Sequence, residues 1–386
     1  MSHPSHQVGI LISSTGPYGA VGESILNGCL LACAQVKAST EFHIKLEPSH
    51  LDPAGEIARY VEGSKRFMAA GIRHIVGCYT SISRKEVIPF LEKSNALLWY
   101  PTHYEGFETS DHVIYTGAAP NHHISPLIDY MREHYGDRAY CIGSNYIWAW
   151  ESNRILREGI CQGEDNIIAE KYLPIGDLVS DDVIDSIIAA NPDFIFNTLI
   201  GSSSYDFFRK LRTACRRRGI DQVADYPVAS CNLSESDLQS TGSDACDGHI
   251  SSSVYFTSVC TPENRRFLSD YRAMFPRGPE PSVEAEAAYM ATILLAKGIN
   301  RVGDNDPERV QAAVRDLSFA APQGPVKLDA ENHHAWLTPR IGRSRKDFSF
   351  EILQEASSPV RPDPYLVNVH HEAVAKARKP HLRVVS

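Results

Sequence analysis

Short apolar runs alternate along this chain with longer segments whose apolar residues recur at helical spacing. Gln7 to Ile12, Phe42 to Leu46, Ile72 to Gly77 and Ala96 to Tyr100 read as strands. Glu23 to Lys37, Pro53 to Ala70 and Ser83 to Lys93 between them read as helices, so residues 1–115 follow a βαβαβαβ order. That order belongs to a parallel sheet covered on both faces. The rhythm restarts with strands at Ala139 to Gly143, Ile167 to Tyr172, Phe194 to Leu199 and Pro227 to Ser230. Helices near Trp150 to Cys161, Asp181 to Ala190 and Tyr205 to Arg218 separate them, and a second α/β lobe is expected.

Beyond Ile250 the pattern changes. Pro262 to Phe275, Ser282 to Asn300 and Pro307 to Leu317 are three helical segments in succession, and they need a sheet to cover. The economical arrangement returns them to the first lobe. The β-rich tail (Val326 to Leu328, Ala335 to Ile341, Phe348 to Leu353) then returns to the second. The first lobe would comprise residues 1–118 plus 253–322, and the second 119–252 plus 323–386. Three hinge crossovers near Thr116 to Asn121, His249 to Tyr255 and Ala320 to Val326 would join two doubly wound parallel sheets. Pro359 to Tyr365 and the basic end Lys376 to Arg383 read as a surface arm.

A chain of 386 residues with 43% hydrophobic and 22% charged side chains has the composition of a folded globular protein of about two domains. Its net charge of −9 repels phosphate backbones and anionic lipid, so direct nucleic-acid binding is not expected. No run of about 18 consecutive apolar residues occurs, and no membrane insertion is expected. The start, MSHPSHQVGILISSTGP, lacks the parts of a signal peptide, and nine cysteines form no CxxC pair. Both features fit a cytoplasmic location.

In an open parallel sheet, ligands sit outside the carboxyl ends of the strands. Here those ends carry Ser13 to Thr15, Cys78 to Ser81, Tyr100 to Thr102, Ser144 to Tyr146 with Trp148, Gly201 with Ser202, and Cys231 with Asn232. The lining is rich in hydroxyls, amides and aromatics and nearly free of charge, which points to an uncharged ligand such as a small amide or urea. Cys78, with Lys85 and Glu86 nearby, is the one nucleophile worth weighing, but nothing local lowers its pKa and it reads as a buried structural thiol. Gly16, Gly19 and Gly22 have the wrong spacing for a dinucleotide loop, and no Walker A or GxSxG pattern occurs. The adjacent pairs His122-His123, His333-His334 and His370-His371 point apart and read as surface or hinge histidines, and Cys29 with Cys33 as small core residues. No enzymatic activity, metal or cofactor is expected.

Several longer segments carry a resemblance: GCYTSISRKEVIPFLEKSNALLWYPTHYEGFE (Gly77 to Glu108), IGSNYIWAWESN (Ile142 to Asn153), EAEAAY (Glu284 to Tyr289), APQGPVKLD (Ala321 to Asp329) and RPDPY (Arg361 to Tyr365). With these, the chain resembles the amide-sensing negative regulators of aliphatic amidase operons and their relatives, the urea and short-chain amide binding proteins of ABC transporters. The resemblance implies a type I periplasmic-binding-protein fold. It also implies a cytoplasmic sensor that sequesters an RNA-binding antiterminator protein and releases it when an amide binds between the lobes, and it admits a homodimer. The family's amide pocket maps onto Tyr79, Ser81, Tyr100, Pro101, Thr102 and Tyr146. Trp148 stands where the regulator has a tyrosine, and Asn232 with Leu233 where it has two threonines, which points to a different alkyl or aryl group.

Overall fold

The computed structural model describes residues 3–160, 166–315 and 317–367. The chain runs through β1 (Ser5–Leu11), α1 (Gly19–Ala38), β2 (Lys45–Leu51), α2 (Ile57–Ala69), β3 (His74–Gly77), α3 (Ser81–Lys93), β4 (Leu97–Tyr100) and β5 (Val113–Tyr115). These five strands form one parallel sheet in the order β2-β1-β3-β4-β5. The two central strands β3 (HIVG) and β4 (LLWY) are buried at every position, as strands covered on both faces must be.

The second series is α4 (Pro120–His134), β6 (Ala139–Ser144), α5 (Ile147–Ile160), β7 (Ile167–Leu173), α6 (Asp181–Ala190), β8 (Phe194–Thr198), α7 (Ser202–Arg217), α8 (Gln222–Asp225), β9 (Val228–Ser230), α9 (Glu235–Thr241) and β10 (Ile250–Ser253). There follow α10 (Pro262–Met274), α11 (Val283–Val302), α12 (Pro307–Val314), β11 (Ser318–Ala321), β12 (Gly324–Leu328), β13 (Ala335–Trp336), β14 (Arg340–Ser344) and β15 (Phe350–Glu355). The second sheet has the order β15-β14-β10-β9-β8-β6-β7. It is parallel from β7 to β10, while β14 and β15 join antiparallel at its edge.

The architecture is two α/β lobes, with α10 and α11 packed on α1 and α12 on α11, so the late helices do return to the first lobe. By length and composition α1 could cross a membrane, yet most of it is buried inside this fold, largely under α11. The tail divides where the sequence reading kept it whole. Only β14 and β15 complete the second sheet, whereas β11, β12 and β13 form a three-stranded antiparallel sheet of their own along the third crossover. Pro359 to Tyr365 is no free arm. The Val360 amide donates to the Leu337 carbonyl (2.8 Å), the Asp363 amide to Asn121 Oδ1 (2.8 Å) and the Phe107 amide to the Pro364 carbonyl (2.8 Å), which straps the crossovers together. The basic end and His370-His371 lie outside the described residues.

Three elements depart from the sequence reading for local reasons. The second strand is KLEPSHL rather than Phe42 to Leu46, because an edge strand paired only to β1 needs no continuous apolar run and tolerates Pro48. Strand β5 has only three residues, too few to show a period. Helix α4 carries Pro126 inside it, and its His122 and His123 are buried rather than exposed; His333 and His334 are buried as well.

Candidate functional site

The carboxyl ends of the two sheets meet across a closed cleft. In the first lobe the chain leaves β3 through Cys78, whose φ of +62° is a left-handed conformation that non-glycine residues seldom adopt. Tyr79 follows, then Thr80, whose side chain caps α3 by accepting from the Ser83 amide (3.3 Å). In the second lobe β6 ends at Ser144 and leads through Tyr146 into α5, which carries Trp148 in its first turn. The lobes touch at their rims: the Ser202 amide, at the start of α7, donates to the Pro17 carbonyl ahead of α1 (3.1 Å).

Tyr79 and Tyr146 are only 5% and 6% exposed, and among the described residues neither phenol oxygen has a hydrogen-bond partner. Burial, with Glu284, Asp237, Tyr146 and Tyr205 adding to it, holds the Tyr79 phenol well above its usual range. Burial, with Tyr100 and Glu105 adding to it, does the same for Tyr146. Both therefore keep their protons and remain donors. The Tyr18 ring lies tilted against Tyr79 at 4.9 Å, and Trp148 lies 6.2 Å from Tyr146.

Most of the other residues named from the sequence spend their polar groups inside the protein, but the indole Nε1 of Trp148, 2% exposed, has no partner among the described residues. Tyr100 donates to the Tyr79 carbonyl (3.1 Å), Thr102 to the Cys78 carbonyl (3.3 Å) and the Asn232 amide to the Leu199 carbonyl (2.8 Å). Ser81 donates to Glu105, which also pairs with Arg84 (3.2 Å). Arg84 is fully buried, bonded further to Glu108 (2.7 Å) and held 4.7 Å over both the Tyr100 and Tyr104 rings. These residues brace the cleft wall and position Tyr79. The Cys78 thiol is pushed up to about 12, by burial above all, and is no thiolate near neutral pH.

Carboxylates stand where the strand ends suggested a nearly neutral lining. Glu284, in the first turn of α11, is 1% exposed. Its Oε1 lies 3.2 Å from His103 Nδ1 without hydrogen-bond alignment, and its Oε2 has no partner. Asp237, in the first turn of α9, accepts from the Ser234 amide (3.0 Å) and hydroxyl (2.7 Å) and from Tyr205 (2.8 Å). Burial first, and Glu284 among its neighbours, raise its carboxyl to about 6. The His103 ring meets Trp148 edge-on at 5.2 Å and His123 at 5.5 Å. Pro101, His103, His123, Ser252 and Glu284, drawn from both lobes, line a cavity of about 10 Å³ at the floor of the cleft.

Two α/β lobes with a polar, aromatic cleft between their strand ends describe a fold, and comparison with known proteins supplies the family. The model of the periplasmic binding protein domain matches residues 6–371. The chain belongs to that family. Among curated relatives, this periplasmic binding protein is 20% identical over 337 residues to the Leu/Ile/Val-binding protein homolog 6 of Brucella abortus, covering 85% of this chain and 84% of that one. A shorter match, 26% identical over 127 residues, relates 33% of the chain to 23% of a limonene hydroxylase from Geobacillus stearothermophilus, so the chain spans under a quarter of that relative. Among solved structures it superposes with a TM-score of 0.83, at 18% identity, on the solute binding protein of an ABC transporter from Rhodopseudomonas palustris in complex with p-hydroxybenzoic acid. That likeness covers 94% of this chain and 99% of the other, and it shows the two-lobed type I fold.

The residues that strand-end reasoning missed in this periplasmic binding protein are His103, His123, Asp237 and Glu284. Three of them stand in the first turns of α4, α9 and α11 rather than at strand ends. His103 directly follows Thr102 and Glu284 opens EAEAAY, so their neighbours were visible. What no local pattern shows is that α11 returns over the end of β4.

Proposed function

We propose that this protein is the solute-binding component of an ABC transporter and that it holds a small amide or urea between its lobes. The observation that carries this is the pair of protonated hydroxyls, Tyr79 from one lobe and Tyr146 from the other, that share the buried cleft without protein partners. A carbonyl oxygen accepting from both would bond to both lobes, and only a ligand with such differential contact favours closure. A four-atom amide gains at most about −6 kcal/mol, which sets an expected Kd of tens of micromolar.

Carboxylate ligands such as the amino acids and hydroxybenzoate bound by the similar proteins fit less well. Arg84, the buried base beside the cleft, is already paired by Glu105 and Glu108, and the Glu105 carboxylate sits at the first residue of α3 where a ligand anion would otherwise bind. Glu284 and Asp237 add further negative charge.

A second reading, favoured by the GCYTSISRK and YPTHYEGFE segments, is a cytoplasmic amide sensor acting on an RNA-binding antiterminator protein. It shares the pocket and differs in location, so fractionation of cells expressing the native gene separates the two. Calorimetric titration with acetamide, butyramide, benzamide, urea, leucine and 4-hydroxybenzoate tests the ligand class. Micromolar binding of an amide or urea is expected; binding of leucine or 4-hydroxybenzoate alone overturns the reading.

A further inference from the structure

The cavity at the floor of the cleft is lined by buried polar atoms that lack partners: His123 Nε2, Glu284 Oε2, Ser252 Oγ and His103 Nδ1. Their residues are 1%, 1%, 0% and 7% exposed, so water outside the protein does not serve them. Leaving such groups unpaired costs about 1–3 kcal/mol each, more for a charge. Something of defined chemistry belongs there.

That chemistry follows from which of these atoms accept. His123 Nδ1 lies 2.8 Å from the Ala119 carbonyl oxygen, which can only accept, so Nδ1 carries the proton. Burial, with His103 nearby, holds the ring well below its usual pKa, so it is neutral and Nε2 presents a lone pair. Glu284 Oε2 is an acceptor as well, and the Ser252 hydroxyl serves in either role. Two acceptors, one of them on a carboxylate, call for a donor with at least two N–H bonds. The cavity volume of about 10 Å³ is close to what one water needs, so a primary nitrogen fits, and a fully methylated one would bring no N–H to either acceptor.

We propose that this cavity seats the ligand's primary nitrogen, an NH2 or NH3+ group that donates to His123 Nε2 and Glu284 Oε2. The inference rests on the reading that a small solute binds between the lobes, and it adds which end of that solute points to the hinge. It also separates ligands by nitrogen substitution.

The test is calorimetric titration of the full chain and of Glu284→Gln and His123→Asn with urea, acetamide, methylammonium, N,N-dimethylacetamide and 4-hydroxybenzoate. Thermal unfolding of each variant verifies that it folds. Whichever primary-nitrogen ligand binds the unmodified protein should lose at least tenfold in affinity in either folded variant, and N,N-dimethylacetamide should not bind. Unchanged affinity for urea or acetamide in both variants, or equal binding of the dimethyl compound, overturns this inference and leaves the amide reading standing; the cavity would then hold only a water. Binding of methylammonium alone, lost in Glu284→Gln, supports the inference and removes the amide reading. Binding of 4-hydroxybenzoate alone, or silence across the panel, overturns both.

Discussion

The lobes touch at several places, among them α1 against α9 and α3 against α5, and at one further contact, Gly201, adding a single carbon tests whether closure and binding are coupled. Gly201 precedes α7 with φ +57° and ψ −136°, and a Cβ built on it would stand 2.1 Å from the Pro17 carbonyl oxygen of the opposite lobe. That is far inside the 3.0 Å that real Cβ atoms respect. Gly201→Ala therefore has two separable effects. Backbone strain of about 1–3 kcal/mol is present whether the lobes are open or closed, and it lowers thermal stability. The clash exists only when the lobes touch. Moving Pro17 away costs the Ser202 to Pro17 hydrogen bond, about 1 kcal/mol, and residual overpacking of about 1–3 kcal/mol. A penalty of about 2–4 kcal/mol on the closed state raises the apparent Kd roughly 30- to 800-fold. Titration gives the affinity, and small-angle scattering at saturating ligand gives the radius of gyration, which should stay at the open value longer as ligand is added. A Kd within threefold of the unmodified protein, with the same compaction, would refute the coupling.

Three further outcomes follow from the cleft and its walls. Tyr146→Phe removes one of the unpartnered donors of the cleft and should weaken amide or urea binding by about 1–3 kcal/mol with the thermal unfolding midpoint of the unliganded protein little changed; equal affinity removes Tyr146 from the site. Arg84→Met leaves Glu105 and Glu108 without their buried cation and should lower stability by about 3–5 kcal/mol, read from the midpoint of chemical denaturation. Glu235 accepts from Thr257 through Oε1 only, and burial, offset in part by those hydrogen bonds, raises its carboxyl to about 7. The unfolded chain releases that proton near the ordinary glutamate value, so native stability is lost as pH rises from about 4.5 to 7. Glu235→Gln should thus be more stable than the unmodified protein by about 1–3 kcal/mol at pH 8 and no different at pH 4; a gain independent of pH would contradict the sign.

Much of the scaffold was legible because its signals are local. Strands such as HIVG and LLWY are short, mostly apolar and buried throughout, and Asp181–Ala190 carries its acidic first turn openly, so the order of lobes could be written from local pattern alone. The elements that escaped lack such signals. The edge strand KLEPSHL is polar because one side of it faces no neighbour, and α4 hides its helical period behind an internal proline and two buried histidines. The tail strands at 324–336 look like those at 340–355, and nothing in their composition says that the first set pairs with β11 instead of the second sheet.

The candidate site divides along the same line. That tyrosines and serines end the strands is a property of the sequence, and Tyr79 and Tyr146 could be named from it. Whether a hydroxyl is free is not, because Tyr100, Thr102 and Asn232 find backbone carbonyls and Ser81 finds Glu105 only once the chain has folded. The sequence by itself determined the α/β rhythm, the two lobes and the aromatic strand ends, since each depends on residues close along the chain. Only the tertiary structure decided the charge of the cleft. Glu284 and His103 are 181 positions apart and meet because α11 returns to cover the first sheet, so their pairing is a consequence of topology that no window of sequence contains.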